Sequence, residues 1–104
     1  MELEDQFKYL VGAYYGVRTM DDYDLKVYIL KDIEKYIRNF IEINPIENYN
    51  YKEIAEKLEA ELSLKTKLQD SLLVLPKVNA PMELILLVKA KLREIKEDEL
   101  KNRY

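Results

Sequence analysis

An all-α domain, a small bundle of about four amphipathic helices, is what this sequence predicts, on three observations. Apolar residues recur at spacings of three and four over long stretches. Only two glycines and three prolines occur in 104 residues, too few for the frequent tight turns of a sandwich or barrel. A chain that is 48% hydrophobic and 36% charged supports a folded core. At this length a single domain, residues 1–104, is expected, burying roughly two-thirds of the area its unfolded chain exposes.

The first helix is expected over about 2–18, where Leu3, Phe7, Leu10, Tyr14 and Val17 form one stripe. Gly12 and Gly16 either mark its end or allow a close helix approach. Thr19-Met20-Asp21-Asp22 is N-cap chemistry for a second helix over 23–43. That helix carries the stripe Ile29, Ile33, Tyr36, Phe40 and Ile43, and a second, offset stripe of Leu30, Ile37 and Ile41, so it is expected to be central. Asn44-Pro45 stops it.

Asn50 and Glu53 form a capping-box pattern for a third helix over 51–75. Its apolar phase shifts after Leu62, which a continuous, drifting helix explains, or a break near Ser63. Pro76 ends it. Asn79 is the expected cap of a fourth helix over 80–98, with Pro81 in its first turn and Ile85, Val88, Leu92 and Ile95 as its core stripe.

Composition excludes more chemistry than it suggests. Without cysteine there are no disulfides or thiolate ligands, and without histidine no imidazole base or Ser-His-Asp triad. No catalytic residue, cofactor site or metal site is assigned. The net charge of −3 does not suggest general phosphate binding. No signal peptide or membrane-length apolar run occurs, so a cytoplasmic location with no membrane partner is expected. Abundant Ile, Lys, Glu and Tyr is a thermophile-like composition.

Residues 51–68 resemble a helix-turn-helix, with Tyr51 to Leu58 as its first helix and Ser63 to Leu68 opening a recognition helix. That resemblance implies a DNA-binding regulator using Lys65 and Lys67. A small residue normally follows the helix-ending Leu, and Glu59-Ala60-Glu61-Leu62 stands in its place. Asp21, Asp22 and Asp24 are candidate cation ligands or simple caps. Glu53, Glu56 and Glu59 with Glu94, Glu97 and Asp98, or Arg18 with Arg38, would suit a small all-α enzyme. Interleaved lysines make the acids an ordinary solvated surface instead.

The run Leu84-Ile85-Leu86-Leu87-Val88 points all the way round a helix. With Ile85 and Val88 in the core, Leu84 and Leu87 are expected to face a partner, with Tyr15 and Val11 as further candidate contacts. The nine tyrosines fit two readings: interface contacts, because Tyr buries a large rigid area while keeping its tip wet, or helix shoulders that shield the core. The functional expectation is therefore a non-catalytic interaction module, an adaptor or small subunit, that binds a larger protein, itself, or both.

Overall fold

The computed structural model describes residues 2–45 and 50–102. It is all-α, with five helices and no strand among the described residues: α1 (Leu3–Arg18), α2 (Tyr23–Ile43), α3 (Tyr51–Glu61), α4 (Leu64–Val74) and α5 (Met82–Lys101), with a 3₁₀ turn at Leu75–Val78.

Local chemistry sets most of these boundaries. The Asp22 carboxylate accepts from Leu25 N at 3.0 Å and starts α2. Lys26 Nζ donates to Arg18 O and Met20 O, so a cation covers carbonyls that α1 leaves unpaired. Asn50 caps α3 through Glu53 N, as its sequence position predicts. The loop that the sequence predicts over Ile46 to Tyr49 lies outside the described residues.

The expected third helix is two helices. Leu62 is extended (ψ 131°), and the Ser63 hydroxyl accepts from Thr66 N at 3.1 Å to start α4. Glu59-Ala60-Glu61, with their high helix propensity, stay helical to the end of α3; the extended Leu62 and the new cap at Ser63 make the break, which the phase shift after Leu62 marks. Asn79 does not cap α5. It sits in the left-handed region (φ 54°) and closes the 3₁₀ turn, while Pro81 takes the N-cap position.

The central helix is α1, not α2. It packs on α2, α3 and α4, while α5 lies mainly along α4. The two glycines explain the change. A Cβ on Gly12 would lie 2.1 Å from Asp70 Oδ2, and one on Gly16 would lie 2.4 Å from the Lys67 carbonyl oxygen. Only hydrogen at these positions lets α1 and α4 approach so closely. Ser71 fits this seam, donating to Ala13 O at 3.2 Å and Lys67 O at 2.9 Å.

The main core joins Ala13 and Val17 of α1, Ile29 and Ile33 of α2, Leu68 of α4, and Leu84, Val88 and Leu92 of α5. A smaller cluster ties α3 to its neighbours: Phe7 stacks on Phe40 at 6.0 Å and meets Tyr51 edge-on at 5.1 Å. The radius of gyration is 14.4 Å, against roughly 13 Å for a compact domain of this length.

Candidate functional site

The second half of α2 positions the site. Its long stripe begins in the core, where Ile29 and Ile33 are buried. Tyr36 and Ile43 continue the same stripe, yet are 45% and 77% exposed. Helical spacing alone assigned both to the core. The reason for the difference is that α4 stops at Val74 and the chain turns through Pro76: among the described residues the 3₁₀ turn reaches Tyr36 only through the Lys77 carbonyl, and α3 reaches the end of α2 through Tyr51, which donates to Asn44 O, leaving Ile43 exposed.

What results is a groove of about 570 Å³. Tyr36, Phe40 and Ile43 of α2 form one wall, Tyr9 and Leu10 of α1 the floor, and Leu73 of α4 the other wall. The Tyr36 hydroxyl donates to Lys77 O at 3.2 Å and closes one end. The polar rim is made of neutral amides, Gln6, Asn39 and Asn44, and Lys77 is the only charge among the described lining residues. An apolar floor, aromatic walls and an uncharged rim suit an apolar helix face rather than a phosphate or a charged metabolite.

Of the four expected interface residues the structure brings Val11 and Tyr15 to one groove and places Leu84 and Leu87 elsewhere. Leu84 is fully buried in the core, which corrects its placement on an outer face. The buried row of α5 is Leu84, Val88 and Leu92, with Ile85 and Ile95 at its flanks. This row and the expected one lie within the same arc, so spacing does not choose between them. Lys91 Nζ, donating to Thr19 O at 2.9 Å, helps set the rotation. Leu87 is 41% exposed. It forms a shallow patch with Leu86 and Leu25, flanked by Asp22 and Glu83.

Val11 is buried on α1, at the base of a second groove that it lines together with Tyr15. Tyr15 is half-buried there with Tyr14, Glu34, Arg38 and Lys52. The Tyr14 phenol donates to Glu34 at 2.9 Å; burial, then this bond, raises its pKa. Arg18 lies over the Tyr14 and Tyr15 rings at 5.8 and 5.5 Å.

The break at Leu62-Ser63 separates the two halves of the helix-turn-helix resemblance. However, α3 lies on α1 and meets α4 little beyond their junction. Lys65 pairs with Glu99 at 3.0 Å, and Lys67 lies over the Tyr15 ring. Both lysines that the resemblance needs have partners within the chain. Asp22 is a cap, and α3 and α5 share no packed face that would gather their acids. Among the described residues no three His, Cys, Asp or Glu side chains converge as metal ligands.

One buried ionisable group escaped the sequence reading. Asp70 is 3% exposed, its Oδ2 has no hydrogen-bond partner, and burial pushes its pKa up to about 6, with Lys8 opposing. Its signal was a carboxylate on the buried arc of a helix opposite a glycine. Because the folded-state pKa lies above the ordinary 3.8, the protonated acid is the form that folding favours. This contribution is present below pH 3.8 and is lost as pH rises through 6. Lowering pH from 7 to 5 should therefore stabilise the protein by about 1 kcal/mol. Asp70→Asn should abolish that component. Urea denaturation of both proteins across this range checks it, and a wild type that gains no more stability between pH 7 and pH 5 than its variant would refute it.

No protein-family model, characterised protein or solved structure matches this chain.

Proposed function

We propose that this protein is a non-catalytic interaction module that receives a partner helix at the α1–α2–α4 groove and the adjoining exposed flank of α2. The observation that carries the proposal is the α2 stripe, which continues past the core into solvent at Tyr36 and Ile43. A helix surface shaped for burial, with no covering element among the described residues, is a docking surface in search of its other half. Recognition would rest on aromatic and aliphatic anchors of the partner helix that enter the groove, with its polar residues lying along the exposed flank of α2. The α5 patch around Leu86 and Leu87 is shallower and edged by acids, so it is the weaker candidate.

A photo-crosslinking amino acid placed at Leu73 or Asn39 in the native cell tests this. Discrete adducts are expected from both positions and none from Lys96, on the outer side of α5. Ile43→Asp should suppress them. Equal labelling at Lys96, or adducts indifferent to Ile43→Asp, would count against the groove.

A further inference from the structure

We infer that the occupant of this surface is a second copy of the same chain, packed antiparallel through α2 about a twofold axis between Lys35 and Tyr36. This rests on the docking reading above and names its partner.

The row of exposed side chains on α2 supports it. The exposed flank of α2 carries Tyr28, Asp32, Lys35, Tyr36, Asn39 and Ile43. Turned antiparallel about that point, this row is its own complement. Tyr28 meets Ile43 of the second copy, Asp32 meets Asn39, and Lys35 meets Tyr36. Tyr28 is 75% exposed, and in this arrangement its ring lies beside Ile43, a lining residue of the groove. The Asp32 carboxylate accepts from the Asn39 amide, and Lys35 lies one turn from Asp32 across the axis, so the polar centre is matched in charge. A twofold contact makes each of these pairs twice.

The absence of cysteine makes the test direct. The purified protein should sediment as a dimer at micromolar concentration. Tyr28→Asp and Ile43→Asp should each weaken it by roughly tenfold or more, since each loses its contact twice. Circular dichroism should hold in both, because both side chains are largely exposed. On oxidation or with a short bismaleimide, Lys35→Cys should crosslink to itself and Lys96→Cys should not. A wild-type monomer at micromolar concentration overturns the inference, as does a dimer dissociated by Leu86→Asp and Leu87→Asp but not by Ile43→Asp. If the protein is a monomer yet the groove still gives discrete adducts in the cell, the second copy is wrong and the docking reading stands. If both fail, both are wrong.

Discussion

Leu84→Glu should leave the chain without a cooperative unfolding transition at neutral pH, whereas Leu86→Glu and Leu87→Glu should keep the wild-type helical signal. Leu84 is 0% exposed, between α5 and the core it shares with Val88. Removing a leucine at such a site costs about 2–5 kcal/mol. Glutamate adds the desolvation of a charge with no partner, or of a carboxylic acid that must bind a proton to stay buried. The sum approaches the roughly 5–15 kcal/mol that holds a domain together. Leu86 and Leu87 are 55% and 41% exposed, so their carboxylates would remain in water. Thermal scans by circular dichroism separate the outcomes. A folded Leu84→Glu, or an unfolded Leu86→Glu, would mean that the rotation of α5 is not as described.

Gly16→Ala should destabilise the protein by about 2 kcal/mol despite placing the best helix former inside α1. The propensity gain is only about 1 kcal/mol. Against it stands a methyl group 2.4 Å from the Lys67 carbonyl oxygen and 2.3 Å from Ser71 Oγ. The carbonyl belongs to backbone and cannot turn aside, so the helices must part, weakening the Ser71 bond to Ala13. A midpoint lower by about 10 °C is the expected reading. Gly12→Ala should also destabilise, for a different reason. Its nearest neighbours are all atoms of the Asp70 side chain. Asp70→Ala should therefore rescue Gly12→Ala, while Ser71→Ala should not rescue Gly16→Ala, because the carbonyl remains. A double-mutant cycle reads this directly. Additive costs at Gly12 and Asp70 would rule out the contact.

The groove was half legible in the sequence. The stripe through Tyr36, Phe40 and Ile43 is visible as spacing, and spacing rightly makes those residues one face of a helix. It is silent about how far along that face the rest of the chain reaches. The end of α4 at Val74 decides that Ile33 is core and Ile43 is surface. Leu84 shows the same limit in rotation rather than length. Five successive apolar residues fit several choices of buried arc, and contacts of α5 with α4 and Thr19 select one.

By itself the sequence determined the all-helical class, the α2 boundaries at Asp22 and Asn44, the Asn50 cap and the start of α5 near Pro81. Each follows from interactions within a few residues: hydrogen-bond geometry at caps, a missing proline N–H, and the period of apolar side chains. Only the tertiary structure decided that α1 is the central helix, that Gly12 and Gly16 admit Asp70 and Ser71, and that the α2 stripe runs out into a groove. Those outcomes depend on distances between residues far apart in the chain. Gly16 lies against Lys67, and Tyr36 against Lys77, only after folding. No local pattern encodes which surface is left over when the packing is complete.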